Sequence, residues 1–251
     1  MGAMPRLRDT AQLASELDAR YAESDAQTII QVAIDLFREN GGIAAISSFG
    51  ADSAVLLHLI ANVDATLPIL FLDTGQHFGE TFEYRDQLSA DLGLTNIVNI
   101  EPLATLTAES DPDKVLHKTD PDLCCSIRKV EPMARAVEPY AAWFTGRKRH
   151  QAQTRAAMPV FESVSGRIRI NPLATWTTSD QADYMRRHNL RENPLVAFGY
   201  YSIGCFPCTQ PVKPGEDSRS GRWAGAAKTE CGIHLTGLEN ALPPTRATVN
   251  S

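Results

Sequence analysis

The sequence predicts an α/β protein: a mostly parallel, twisted sheet with helices on both faces, extended by a C-terminal arm. Short apolar runs that fit buried strands alternate with longer segments whose apolar positions recur at helical spacing, the pattern of βαβ units. No run approaches the roughly 18 apolar residues a membrane span needs, so the alternation belongs to a globular chain. From Tyr200 onward Gly, Pro and Arg dominate, and this stretch reads as an arm lying over the domain rather than a fold of its own.

The elements follow in order. Asp25 is placed to cap a helix whose face carries Ile29, Ile30, Ala33, Leu36 and Phe37, with Gly41 as its stop. Ile43 to Ser48 reads as a buried strand, Ser53 to Asn62 as a helix, and Pro68 to Leu72 as the second strand. Glu80 to Leu92 is the next helix and Asn96 to Ile100 the third strand. Residues 132–138 fit a helix and Ala141 to Thr145 a fourth strand. Residues 160–170 read as a hairpin turning at Ser165-Gly166, and Ser179 to His188 as a helix capped by Ser179. The tail after Leu235 is expected to be loosely ordered.

Composition narrows the function. The net charge of −6 hides an asymmetry: residues 1–123 hold 7 Lys and Arg against 20 Asp and Glu, whereas residues 124–234 hold 16 against 9. The cationic part carries all five cysteines. An acidic chain with one cationic region is a poor nucleic-acid binder but a plausible trap for a small polyanion. No secretory signal is read in Met1 to Tyr21, so cytoplasm is the expected address, where clustered cysteines bind metal or do chemistry.

Five signals carry that chemistry. Ser48-Phe49-Gly50-Ala51-Asp52-Ser53 lies between the first strand and its helix, where such sheets bind nucleotides and helix N–H groups receive anions. It is similar to the S-G-G-x-D-S pyrophosphatase loop of the adenine-nucleotide α-hydrolase (PP-loop) superfamily, with Phe49 in place of the first glycine; an ordinary helix cap by Asp52 or Ser53 is the competing reading. Leu72-Asp73-Thr74 ends the second strand at the same sheet edge. Cys124-Cys125, followed by Arg128-Lys129, and Cys205-Phe206-Pro207-Cys208 supply four thiolates, enough for a tetrahedral zinc or an iron–sulfur cluster. Adjacent cysteines on an extended backbone point to opposite sides, which suits a multi-iron cluster better than one small ion. Cys231, between Lys228 and His234, is a candidate nucleophile, a spare ligand or a plain buried thiol. Arg219 and Arg222 offer the planar forks that suit sulfate and phosphate oxygens.

Taken in order, Cys-Cys-x-x-Arg-Lys, Cys-x-x-Cys-Thr-x-Pro, the stretch ending Gly-Arg-Trp and Glu-Cys-Gly-Ile-His resemble the assimilatory adenylyl-sulfate reductases of the APS/PAPS reductase family, from about residue 25 to residue 236. The resemblance implies a [4Fe–4S] cluster on Cys124, Cys125, Cys205 and Cys208, and a catalytic Cys231 on a mobile arm. It implies phosphosulfate contacts from Lys129, Arg155, Arg219, Arg222 and His234, and nucleotide contacts from Ser48, Phe49, Gly50, Ala51, Asp52, Ser53, Leu72, Asp73, Thr74 and Gly146. The implied reaction, in sulfate assimilation and cysteine biosynthesis, reduces adenosine 5′-phosphosulfate to sulfite and AMP through a Cys231 S-sulfonate, with thioredoxin or glutaredoxin as donor. Neither nucleic acid nor membrane is an expected partner, and a homo-oligomer is left open. The domains expected are a helical extension at 1–24, a sulfonucleotide-binding domain with the iron–sulfur site at 25–208, and a flexible arm at 209–251.

The sequence departs from the family pattern in three places. The 48–53 loop looks more like that of the cluster-free phosphoadenylyl-sulfate reductases, Gly-x-Arg-Arg-Asp-Gln becomes Gly146-Arg147-Lys148-Arg149-His150-Gln151, and the arm between Trp223 and Cys231 is slightly short. Three alternatives therefore stand: the same chemistry on the 3′-phosphorylated nucleotide, an ATP pyrophosphatase-type thiolation enzyme, and a non-enzymatic iron–sulfur redox sensor.

Overall fold

The computed structural model describes residues 9–213, 215–223 and 232. Its strands are β1 (Ile43–Ser47), β2 (Ile69–Leu72), β3 (Ile97–Ile100), β4 (Ala142–Phe144), β5 (Phe161–Val164) and β6 (Arg167–Ile170). They form one sheet in the order β3-β2-β1-β4-β6-β5, parallel throughout except for β5 against β6. The helices, in chain order, are α1 (Thr10–Tyr21), α2 (Ala26–Phe37), α3 (Ser53–Asp64), α4 (Gly79–Asp91), α5 (Ala104–Ser110), α6 (Leu116–Thr119), α7 (Pro121–Cys125), α8 (Glu131–Val137) and α9 (Thr178–Arg187). The expected fold class is the observed one.

Alternation along the strands sets the two layers. Ala45, Ile69, Phe71, Ala142 and Phe144 face a large core closed by α2, α3 and α4, while Ala44, Leu70, Leu72 and Trp143 face a smaller one under α8. Both faces are covered, which is why these strands read as unbroken apolar runs. Phe37, Phe71 and Trp143 are almost wholly buried, and each such side chain contributes roughly 1.5–3 kcal/mol of transfer free energy.

Local chemistry accounts for the boundaries. Asp25 caps α2 by accepting the Thr28 N–H at 2.9 Å. Past Phe37 the chain turns through Gly41 at φ 92°, where a Cβ would sit 2.8 Å from that of Ala141, so only glycine fits. Ser165 and Gly166, at φ 49° and 74°, make the two-residue hairpin turn between β5 and β6. The cap of α9 is Thr177, not Ser179. Thr177 accepts the Asp180 N–H at 3.1 Å while Asp180 accepts the Thr177 N–H at 2.8 Å, and this reciprocal pair needs an acid three residues after the cap.

Helix α1 is docked on the sheet edge. Asp18 Oδ1 accepts the N–H groups of Val160 at 2.7 Å and Phe161 at 3.0 Å, and Ala14 and Leu17 join the large core. Among the described residues no helix is long and apolar enough to cross a membrane.

Candidate functional site

After β1 the chain builds outward through β2 and β3, then returns to place β4 on the other side of β1. The connections at the carboxyl ends of β1 and β4 therefore diverge, and the crevice they leave is where open α/β sheets bind ligands. A cavity of about 770 Å³ occupies it. Ser48, Gly50, Ala51, Asp52, Ser53, Leu72, Thr74, Lys129, Gly146, Arg155, Arg219 and Arg222 all line this cavity, so most of the residues expected to bind substrate are brought together. A second cavity of about 540 Å³, lined by His58, Asp91, His188 and Arg191, contains none of them.

Two expected contacts are turned away from the cavity. Phe49 is fully buried, with its ring 5.7 Å from Phe71 in an edge-on pair. Its backbone sits at φ 47°, the left-handed region that glycine enters freely, and Ser47 Oγ accepts its N–H at 3.1 Å. The glycine of the S-G-G-x-D-S pattern is thus replaced by a core anchor that keeps the loop's bend. Asp73 is spent on the turn itself, accepting the Gly75 N–H at 2.9 Å.

Asp52 occupies the N-cap position of α3 but makes no capping hydrogen bond. Its Oδ2 instead accepts from Lys148 Nζ at 3.1 Å and Gln151 Nε2 at 3.3 Å. The Lys148 side chain is 1% exposed, and that burial lowers its pKa against the opposing pull of Asp52. Gln151 Oε1 accepts in turn from Arg155 Nη1 at 2.8 Å. Beneath lies a buried network in which Glu162 pairs with Arg147 and Arg169, and Asn171 Oδ1 accepts from Thr145 Oγ1 at 2.6 Å. Burial brings the Arg147 pKa down to about 10, with Arg169 adding repulsion and Glu162 opposing. Sequence reasoning missed Lys148 and Gln151; the signal available was the Gly146–Gln151 motif, whose two sides reach the first loop only through the β1–β4 adjacency.

The four cysteines gather beside the cavity. Cys124 and Cys125 end α7 and lead into a π-helical turn, Ser126–Val130, that carries Lys129 to the cavity wall. They are helical, which corrects the extended backbone expected for the pair; Pro121 at the helix start and Asp120, which accepts the Leu123 N–H at 3.0 Å, wind this segment. Cys205, Phe206, Pro207 and Cys208 form a tight turn, and Cys125 and Cys208 pack against Trp223. None of the four is joined in a disulfide. Burial, then the negative charge of Cys125, Cys205 and Cys208, pushes the Cys124 thiol up to about 12. Burial also opposes ionisation of Cys205, but the charge of Lys129 and hydrogen bonds from Thr74, at 3.3 Å, and Lys129 outweigh it and lower its pKa. Among the described residues no group of three or more His, Cys, Asp or Glu side chains is placed to hold a metal ion. Arg128, whose role the sequence left unassigned, donates to Thr74 O at 3.0 Å and to Asp111 Oδ2 at 2.8 Å, tying the cysteine helix to the end of β2.

The root of the arm is pinned to this region. Trp223 N donates to Cys208 O at 3.0 Å, Gln210 N to Gly221 O at 2.9 Å, and the Arg222 guanidinium lies 4.4 Å over the Trp223 ring. A Cβ on Gly204 would collide with that guanidinium. Cys231 and His234 lie outside the described residues. Gly232, next to Cys231, is described; a Cβ there would sit 3.2 Å from Val130, the residue after Lys129.

Residues 42–211 match the family described as the phosphoadenosine phosphosulfate reductase domain. The chain is 70% identical over 239 residues to an adenosine 5′-phosphosulfate reductase of Chelativorans sp., covering 95% of this chain and 98% of that one. It is 66% identical to the protein of the same name from Mesorhizobium japonicum, over 92% of this chain and 91% of the other. A phosphoadenylyl-sulfate reductase from Candida auris, solved with phosphate, superposes with a TM-score of 0.68 at 27% identity, covering 79% of this chain and 97% of its own. With its motifs in these places and relatives matched along nearly their whole length, the chain belongs to the APS/PAPS reductase family.

Proposed function

We propose that the chain reduces adenosine 5′-phosphosulfate to sulfite and AMP. The observation that carries this is one cavity where an anion-binding loop, Ser48 to Ser53, faces Lys129, Arg155, Arg219 and Arg222. Relatives at 70% and 66% identity bear the name of that activity, which favours the nucleotide without a 3′-phosphate. The cationic side chains hold the phosphosulfate and offset charge on the departing phosphate. The Cys231 thiolate attacks the sulfur, the S–O bond to AMP breaks, and AMP leaves with that electron pair while Cys231 becomes an S-sulfonate. One thiolate of a dithiol donor such as thioredoxin then attacks the Cys231 sulfur, releasing sulfite. Its second thiol closes the donor disulfide and returns Cys231 as a thiol.

We further propose that Cys124, Cys125, Cys205 and Cys208 hold a [4Fe–4S] cluster. The reading rests on the donor set: four cysteines from two segments, none in a disulfide and three of them buried, with Lys129 beside Cys205. When bound, the cluster supplies a structural and electrostatic element, since both electrons come from the dithiol. Lys129 has the place to serve cysteine and substrate together. The deciding experiment is an anaerobic sulfite-release assay with thioredoxin and each sulfonucleotide. Sulfite from the unphosphorylated compound at the higher kcat/KM is expected; preference for the 3′-phosphorylated one would reassign the substrate, and release from neither would end the proposal.

A further inference from the structure

Among the residues lining the proposed nucleotide cavity is an acid that ought to repel the substrate. Asp52 sits at the N-cap of α3, a 12-residue helix whose first-turn N–H groups have no intrahelical acceptor. A carboxylate in that position ordinarily folds over those groups and caps them. It would then block the end of the helix dipole that attracts phosphate, and put like charge against it. Here the carboxylate is drawn off. Lys148 Nζ holds Oδ2 at 3.1 Å from one side and Gln151 Nε2 at 3.3 Å from another, and no capping bond is made.

The pairing is lopsided in a way that suits restraint rather than stability. Lys148 is 1% exposed, whereas the Asp52 side chain is 47% exposed. Burying an ammonium against a half-solvated partner costs desolvation that the pair recovers only in part. Lys148 lines the cavity together with Asp52, and its ammonium is directed to the carboxylate at 3.1 Å, so the lysine's use lies in where it holds that carboxylate. Gln151 extends the assembly: its amide nitrogen reaches Asp52 while its oxygen accepts from Lys148 N at 3.2 Å and Arg155 Nη1 at 2.8 Å. The same side chain that helps to hold the acid aside therefore aims an arginine of the cavity wall.

We infer that Lys148 is a positioning residue that keeps the Asp52 carboxylate off the start of α3, leaving the first-turn N–H groups beyond Ser53, whose own N–H donates to Gly50 O at 3.2 Å, open to the nucleotide's 5′-phosphate. The inference rests on the reading of this cavity as the nucleotide site. It makes Asp52 a group to be restrained rather than a ligand of the anion.

A double-mutant cycle on AMP affinity, read by isothermal titration on anaerobically purified full-length protein, tests it. Lys148→Met, close in length and apolar, should bind AMP about tenfold more weakly, the scale of a lost helix-end interaction. Asp52→Ala supplies the reference background, where adding Lys148→Met should change AMP affinity by less than about twofold, because no carboxylate remains to be restrained. Circular dichroism and thermal melts confirm that each variant folds, and Asp52→Val, which has no side-chain acceptor to cap the helix, provides a second background with the same expectation. An undiminished loss from Lys148→Met in either background would mean that the lysine touches the phosphate itself, and would overturn the inference. A loss of more than about tenfold from Asp52→Ala alone would overturn it from the other side, by making the carboxylate a ligand. Wild-type protein that fails to bind AMP would remove the nucleotide reading, and the inference with it.

Discussion

At the scale of single residues, the proposed function divides the cysteines by task, and that division can be measured. Cys231→Ser should abolish sulfite release while keeping AMP binding and the visible absorption of the cluster, because serine is a far weaker nucleophile near neutral pH and this thiol is not needed for iron. Mass spectrometry of wild type incubated with substrate and no donor should find one added SO₃ on the peptide bearing Cys231; a sulfonate on another cysteine would refute the assignment. Anaerobically purified protein should carry about four iron and four acid-labile sulfide per chain. Cys124→Ser or Cys205→Ser should lose both iron and activity, and one zinc per chain after iron-replete expression would show the cluster to be misassigned. These thiols were legible in the sequence because their spacing is chemical. Lys148 and Gln151 were not, because their partner Asp52 lies 96 and 99 positions away and meets them only when β1 and β4 pair.

At the scale of elements, apolar alternation located the strands, and boundaries shifted where a cap outcompeted its neighbours. Trp176 is followed by three hydroxyl residues, and only Thr177 has an acid three places on, so reciprocity chose among them. The α7 segment and its π-helical turn escaped the sequence reading because a five-residue helix has too few positions to show a period. The β5–β6 hairpin carries a buried charge cluster, with Glu162 held by Arg169 and Arg147. Burial acts to raise the Glu162 pKa, but hydrogen bonding and charge from Arg169, then Arg147, overcome it and leave the carboxyl below its ordinary value. A carboxyl depressed in the folded state stabilises the protein above its unfolded pKa, and that contribution is lost as pH falls through the folded value. Stability should therefore decline as pH falls below about 4.5. Glu162→Gln should lower stability at pH 7 by roughly 3–5 kcal/mol, since it strands two buried guanidinium groups. The variant should also show a flatter acid limb in a plot of melting temperature against pH; an unchanged limb would mean that other carboxyls set it.

At the scale of the whole molecule, one sheet organises the described residues, and one of its two edges is the antiparallel strand β5. Helix α1 covers that side, with Asp18 receiving two backbone N–H groups. Asp18→Ala should cost roughly 1–3 kcal/mol by leaving those donors unpaired, visible in the urea midpoint. No loss would show that α1 is dispensable to the fold. Beyond the sheet, the arm leaves from Trp223, which is hydrogen-bonded to the Cys205–Cys208 turn. Eight residues carry the chain from there to Cys231, a tether that at full stretch spans no more than roughly 29 Å. Under the proposed mechanism, a thiol on so short a leash would meet the cavity at an effective concentration of millimolar order, whatever the concentration of protein in solution. Dilution would then not slow its attack on a bound nucleotide. Only the arrival of the second dithiol has to wait for diffusion, and the leash is staked in the one part of the molecule that iron would hold together.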